Sequence, residues 1–206
     1  PHAPGSYSFG NNPAARGVLT RWRTAHPEDR LESSELERFE AVVLPHLDAA
    51  YTLARYLTRS DHDAQDVVQD ASLRAFRHFG TFRGAGSAEG RAWLLAIVRN
   101  TAYTWQRRHH GDTLTTEFNE ERHSEVVAGE DPEAALVAQG ERVALHRAID
   151  ELPPEFREVI VLRELEELSY KEIADVAGVP VGTVMSRLSR ARRRLEEVLC
   201  AQTEDC

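Results

Sequence analysis

The chain has few aromatic residues, almost no cysteine and no long apolar run. Aromatic residues make up 7% of the 206 residues, whereas charged residues make up 29%, which argues against a single large core. No stretch approaches the roughly 20 apolar residues that a membrane-spanning helix needs, and no signal-peptide pattern is present. We therefore expect a cytoplasmic protein without direct membrane insertion.

The sequence also lacks clusters of residues that carry chemistry. Its only cysteines are Cys200 and Cys206, for which reduced thiols are the default and a disulfide between them is the alternative. The nine histidines are scattered, and none stands at metal-ligand spacing from a cysteine or an acid. No nucleophile elbow, phosphate-binding glycine loop or carboxylate pair is visible. We expect no metal and no cofactor, and an enzyme ranks last among the function classes.

Apolar residues recur at helical spacing, with no strand pattern and no repeat of 20–50 residues. Pro45 predicts a kink or two helices, and Asp61 or Asp63 is the predicted cap of the next helix. Composition predicts a loop over 82–90 and a helix over 91–108. Helices are expected to resume near Pro132 and to break at residues 152–154, which read Leu-Pro-Pro.

The most informative stretch is LSYKEIADVAGVPVGTVMSRLSRARRRL, residues 168–195. Ser169 and Glu172 form a capping box that predicts the start of a helix. Gly178 permits the positive φ that ends it, and Pro180 precedes a second helix that opens near residues 181–183. Helical spacing places four apolar residues on the inner face of that second helix: Val184, Leu188, Ala191 and Leu195. Two short helices around a glycine turn are typical of a helix-turn-helix, whose second helix lies in the DNA major groove.

Charge is segregated along the chain, although the formal net charge is −9. Residues 181–195 carry five arginines and residues 91–108 carry four, and neither stretch contains an acid. Residues 111–133 carry eight acids against one arginine. Cationic surface binds phosphate, and acidic residues repel it. We therefore expect the free protein to bind duplex DNA weakly.

These features predict an all-α fold of two small helical domains joined by an acidic flexible linker. The predicted boundaries are an N-terminal tail over 1–33, a first domain over 34–110, the linker over 111–134, a second domain over 135–200 and a C-terminal tail over 201–206.

Three stretches in this order resemble the extracytoplasmic-function (ECF) group of bacterial RNA polymerase sigma factors. They are DAQDVVQDASLRAF at 63–76, RAWLLAIVRNTAYTWQRR at 91–108 and the helix-turn-helix. The resemblance implies a sigma region 2-like domain over 34–110 and a region 4-like domain over 135–200. It implies a subunit that binds core RNA polymerase and directs promoter-specific initiation, with a probable anti-sigma factor as a further partner.

The resemblance also implies site residues. A polar face of one helix would dock on core polymerase through Asp63, Asp66, Gln69, Asp70 and Arg74. The resemblance implies that the −10 element is melted and read by Trp93, Arg99, Asn100, Tyr103, Thr104, Arg107 and Arg108. Their chemistry suits this role, because strand opening needs an aromatic wedge and cations along the single strand. The −35 element would be contacted by Thr183, Met185, Ser186, Arg187, Ser189, Arg190 and Arg193. An arginine can donate two hydrogen bonds to the edge of a guanine base.

Each of these assignments has a plainer alternative. The polar face of 63–76 and the arginines of the last helix suit a solvated helix surface, and Trp93 suits a core position. For the whole chain, the alternative is a stand-alone helix-turn-helix regulator with an N-terminal sensing domain. Such a regulator would bind its DNA site without polymerase.

Overall fold

The computed structural model describes residues 33–84, 87–109 and 132–202, and these contain helices and turns but no strand. The all-α prediction is confirmed. The predicted tails and acidic linker lie almost entirely outside the described residues. The helices are α1 (Ser33–Val43), α2 (Leu47–Thr58), α3 (Asp61–His78), α4 (Ser87–His109), α5 (Pro132–Glu151), α6 (Pro154–Ile160), α7 (Tyr170–Ala177) and α8 (Val181–Gln202).

The first break lies where proline predicts it, but the cap of the following helix is a different residue. A short 3₁₀ turn, Leu44–His46, contains Pro45 and separates α1 from α2. The N-cap of α3 is Ser60, whose hydroxyl accepts from the Asp63 amide. Asp61 and Asp63 lie inside the first turn. The Asp61 carboxylate accepts a hydrogen bond of 2.6 Å from Nε of Arg55. The prediction of an aspartate cap was therefore wrong.

Helix α4 begins earlier than its composition predicts. The predicted loop over 82–90 is wrong from Ser87 onward, because the helix already includes Gly90. A Cβ atom at Gly90 would lie 2.5 Å from Cγ1 of Val42. Glycine at this position therefore allows α1 to approach α4 closely, and its presence reflects packing and not a turn.

The C-terminal helix-turn-helix forms as predicted. The Ser169–Glu172 capping box is present, and Gly178 ends α7 with φ 66°. Helix α8 opens at Val181, after Pro180. Val184, Leu188 and Ala191 are fully buried, and Leu195 packs against them from a partly buried position. The break at residues 152–154 separates α5 from α6, and a π-helical turn (Val161–Leu165) continues α6.

The two halves of the molecule share one core. A single cluster of buried apolar residues runs from Leu53 and Phe79 in the first half to Ile160 and Leu188 in the second. Helix α4 packs on α7, and α2 packs on α6 and on the π turn. The expectation that no single large core would form was wrong, because residues 156–162 are all buried and need cover from both halves.

The described residues were also compared with the expectations for membrane spans, metal ligands and cysteines. No described helix is both long and apolar enough to cross a membrane. No three His, Cys, Asp or Glu residues in the described ranges are placed to hold a metal ion. Cys200 is disulfide-bonded. Cys206, the partner in the disulfide that the sequence leaves open, lies outside the described residues.

Candidate nucleic-acid interface

Helix α4 brings most of the predicted −10 residues together. One surface groove is lined by Arg99, Asn100, Tyr103, Thr104, Gln106 and Arg107, which include five of the seven predicted residues. Asn100 is exposed, and its side-chain oxygen accepts from the Arg99 guanidinium at 3.3 Å. The Thr104 hydroxyl donates to the Asn100 carbonyl oxygen at 2.7 Å. Cations, an amide and an aromatic ring therefore share one open surface that suits an unpaired nucleotide strand.

Trp93 and Arg108 lie outside this groove. Arg108 is exposed. Trp93 is half-buried, with its ring centroid 4.9 Å from that of Phe82 and 6.1 Å from that of Phe79. One side of Trp93 therefore belongs to the core of the first half, and the rest of the ring reaches the surface. The structure is therefore compatible with Trp93 as a core residue and with Trp93 as a residue that contacts DNA.

The cationic face of α4 meets a buried acid from the second half. Glu158 on α6 is 0% exposed and forms an ion pair with Arg99. The Tyr103 hydroxyl donates to the same carboxylate at 3.1 Å, and the Arg99 guanidinium lies 4.8 Å from the Tyr103 ring centroid. Arg99 and Tyr103, two of the residues predicted to contact DNA, therefore both bind the Glu158 carboxylate.

Burial shifts the pKa values of Glu158 and Tyr103. It raises the pKa of Glu158 above that of an ordinary glutamate, while the Arg99 guanidinium opposes the rise. Burial, followed by the neighbouring Glu158 charge, also raises the pKa of Tyr103. The Tyr103 hydroxyl therefore keeps its proton at neutral pH and remains a hydrogen-bond donor.

Three further polar contacts join the halves. Arg91, at the beginning of α4, forms an ion pair with Glu166, which is largely buried. Arg157 on α6 is buried and donates to four backbone carbonyl oxygens, of which Tyr56 on α2 is the one in the first half, at 3.1 Å. The Tyr56 hydroxyl is hydrogen-bonded to the His146 ring on α5. Buried polar groups of this kind fix the relative positions of the halves, because separating them exposes or orphans each partner.

Helix α8 divides its predicted −35 residues between two faces. Met185, Ser189 and Arg193 line an outer groove with Tyr170, Leu188, Arg192 and Glu196. Met185 is 54% exposed, and Ser186 and Arg190 are also exposed. Arg187 is only partly exposed, and its charge acts on both Glu158 and Tyr103. Thr183 is partly exposed at the start of the helix. Helix α8 therefore has an open outer face, and Arg187 is its only partly exposed arginine over residues 181–195.

Helix α3 presents the predicted polymerase-docking residues on its outer side. Asp63, Asp66, Asp70 and Arg74 are partly exposed, and Gln69 is exposed. Arg74 forms an ion pair with Asp70 at 2.9 Å, and the His62 ring lies 3.5 Å from Asp66. The inner side of the helix is apolar, with Ala64, Val67, Ala71 and Ala75 fully buried. The acidic face is thus free of core packing.

Sequence reasoning missed Glu158, Glu166 and Arg157. The signal for Glu158 and Arg157 was the stretch FREVIVL, residues 156–162, in which apolar residues cover nearly the whole helix circumference. A charge inside such a stretch must be buried, and a buried charge requires a partner. Nothing in the local pattern identifies that partner, because Arg99 stands 59 residues earlier in the chain.

Comparison with known proteins shows the family to which the chain is related. The family model for Sigma-70 region 2 matches residues 42–111, and the model for Sigma-70, region 4 matches residues 142–195. The ECF RNA polymerase sigma factor SigE of Mycolicibacterium smegmatis is 34% identical over 84% of this chain, which spans 66% of that protein. The ECF RNA polymerase sigma-E factor of Escherichia coli K12 is 33% identical over 82% of this chain and 90% of its own length.

A solved structure is also similar. The sigma factor RpoE of Bartonella quintana, crystallised with the anti-sigma factor NepR, has a TM-score of 0.60 and 28% identity, covering 79% of this chain and 97% of its own. The N-terminal half thus matches a sigma region and not a sensing domain, so the stand-alone regulator is not favoured. This family is not a family of enzymes. The chain belongs to the ECF RNA polymerase sigma factors, which direct the polymerase to promoters.

Proposed function

We propose that this sigma factor divides promoter recognition between α4 and α8. The observation that carries the proposal is the pair of arginine-bearing helices, each with an exposed surface in a different sigma region. Helix α4 would read and open the −10 element, and α8 would read the −35 element. The site residues are those that the resemblance implies, taken now with their observed surroundings.

At the −10 element, Trp93 is the wedge. Its ring is anchored by Phe79 and Phe82, so that its free edge can replace a lost stacking neighbour without the side chain moving. Asn100 lies seven residues further along the helix, about two turns away. Its exposed amide is suited to hydrogen-bond an extruded base, while Arg107 and Arg108 hold the backbone of the single strand.

At the −35 element, the exposed arginines of α8 supply the readout. Arg190 lies at the centre of the helix and is free of ion pairs within the described residues, so its guanidinium is available for a bidentate guanine contact. Arg193 is exposed, and its 3.5 Å contact with Glu197 is weak enough for DNA phosphate to replace. Thr183 stands at the helix start, where amide groups suit a phosphate.

The outer face of α3 would bind core polymerase. Asp63, Asp66 and Asp70 form an acidic strip that complements a basic partner surface. An anti-sigma factor is the further partner that the relationship to the NepR-bound RpoE supports, and the cytoplasm is the compartment where such a subunit works.

Run-off transcription with purified core polymerase and genomic DNA tests the proposal. We expect discrete start sites that depend on the protein and share two upstream sequence elements. Asp66→Arg is expected to abolish capture of core polymerase and to remove these transcripts. Glu37→Arg, an equal charge change at an exposed position of α1, is the matched control and is expected to retain both. Specific duplex binding without polymerase and without any start site would support the regulator instead.

A further inference from the structure

Large apolar side chains are exposed at three positions of the described residues, and two of these lie together at the beginning of α8. Val181 is 41% exposed and Met185 is 54% exposed, while the third, Leu145 on α5, is 42% exposed. Val181 and Met185 are four residues apart, so they lie one turn apart on the same side of the helix. Exposed apolar residues scattered singly need no explanation, whereas these two form a continuous apolar surface.

The surroundings of this apolar surface are cationic. Met185 lines the outer groove of α8 together with Ser189 and Arg193, and both of these residues are exposed. Residues 181–195 contain no acid, and the acid that lines the groove, Glu196, lies about three turns away from Met185. An apolar side chain among hydroxyl groups and arginines suits the edge of a DNA base and its flanking phosphates.

The chemistry of its thioether restricts what Met185 can recognise. The side chain has no N–H or O–H group to donate, and its sulfur is a weak hydrogen-bond acceptor, so it contributes to binding by burying apolar surface. In the major groove a G·C pair presents hydrogen-bonding groups, whereas an A·T pair also presents the methyl group of thymine. Contact with Met185 therefore favours thymine over the other three bases.

We propose that Met185 is a specificity-determining residue, which selects an A·T pair in the −35 element by packing on the thymine methyl group, with Val181 extending the apolar surface by one turn. The inference rests on the proposed function, because it needs α8 to lie in the major groove at −35. Recognition helices place their N-terminal residues against base edges, and both apolar residues lie within the first two turns of α8. Met185 adds what the arginines of α8 do not supply, since an arginine reads guanine through hydrogen bonds.

Removal of the methyl group alone tests the inference, because uracil in place of thymine keeps every hydrogen-bonding group. Once start sites are mapped, each thymine on either strand of the −35 element is replaced singly by uracil in promoter fragments. The affinity of the complex of full-length protein and core polymerase is measured by competition among these fragments. We expect one position at which uracil weakens binding about fourfold, the effect of one methyl group lost from an apolar contact. An element without any A·T pair, or one in which no uracil weakens binding, would overturn the inference.

The same fragments with Met185→Ala assign the methyl contact to this side chain. We expect Met185→Ala to bind the thymine and uracil fragments equally, because the group that packs on the methyl is gone. Leu145→Ala is the matched control, since it truncates another exposed apolar residue outside α8 and should keep the full sensitivity to uracil. Both side chains are exposed, so circular dichroism should show unchanged helix content. A fourfold difference that persists in Met185→Ala would refute the role of Met185.

Two further measurements separate this inference from other outcomes. Capture of core polymerase without DNA should be the same for Met185→Ala and wild type, and weaker capture by the variant would mean that the apolar surface binds protein and that the inference is wrong. Arg190→Ala reports on the proposed function itself. If Arg190→Ala changes base preference at −35 while uracil has no effect, α8 reads the element and only the methyl contact is wrong. If neither change has an effect, the proposed role of α8 fails together with the inference.

Discussion

Helices α4 and α8 are alike in the charge of their arginine-bearing stretches and differ in their surroundings. Over 91–108 and 181–195 both carry arginines without acids, so charge alone predicts two open cationic surfaces. In the structure, Arg91 and Arg99 of α4 reach Glu166 and Glu158 of the opposite half, whereas Arg190 and Arg193 of α8 are exposed. The difference teaches that a stretch of arginines without acids does not by itself predict an open cationic surface, because acids from the other half of the chain can pair with it.

The largest effect is expected from Trp93, which links α4 to the core. Trp93→Ala removes the ring that packs on Phe79 and Phe82 and should lower the free energy of unfolding by about 3 kcal/mol, measured by urea denaturation. Trp93→Phe should keep most of the stability while shortening the wedge. We expect Trp93→Phe to reduce permanganate-reactive thymines near −10 and a template already mismatched there to restore transcription. Failure of the mismatched template to rescue would contradict the wedge role.

The comparison between the helices sharpens with one substitution made in each. Arg99→Ala leaves Glu158 buried with Tyr103 as its donor, which should cost about 2 kcal/mol of stability. Arg190→Ala removes an exposed side chain and should change stability by less than about 0.5 kcal/mol. Both values come from urea denaturation followed by circular dichroism. Equal losses would mean that the two arginines have equivalent surroundings.

Arg190→Ala is expected to have a larger effect on DNA binding than on stability. Arg190→Ala should weaken promoter binding by the polymerase complex by roughly 1–3 kcal/mol and relax preference at one or two base pairs of the −35 element. Binding is measured by competition among single-base variants of the promoter. A loss of equal size on every variant would identify a phosphate contact in place of a base contact.

A small, pH-dependent effect is expected at the capping box that begins the helix-turn-helix. Its hydrogen bonds with Ser169 lower the pKa of Glu172 below the ordinary value for glutamate. A lowered acid pKa contributes stability that is present above the ordinary value and is lost as pH falls through the folded value. Glu172→Gln should therefore lose less stability than wild type between pH 7 and about pH 3. Ser169→Ala should cost about 1 kcal/mol at pH 7, by thermal unfolding. Identical pH profiles for wild type and Glu172→Gln would contradict the assignment.

The sequence alone determined the local structure of this protein. The all-helical character, the breaks at Pro45 and at residues 152–154, and the capped helix-turn-helix follow from apolar spacing and from residues that cap or end helices. These signals lie within a few positions of the structure that they specify. The predictions from these signals were wrong at Ser60 and at Gly90. Next to Ser60, the Asp61 carboxylate accepts a hydrogen bond from Arg55, and Val42 packs against Gly90.

Only the tertiary structure decided which cationic residues are open. The sequence placed Arg99, Tyr103 and Arg190 on two basic helices, but it gave no sign that Glu158 would occupy the first two. Arg99 and Glu158 are 59 residues apart, and a pairing over that separation is set by how the halves pack and not by spacing along a helix. The shared core has the same origin: residues 156–162 are all buried, so they need the first half as well as the second to cover them. Burial there fixes Glu158 beside Arg99, because a buried charge requires an opposite one.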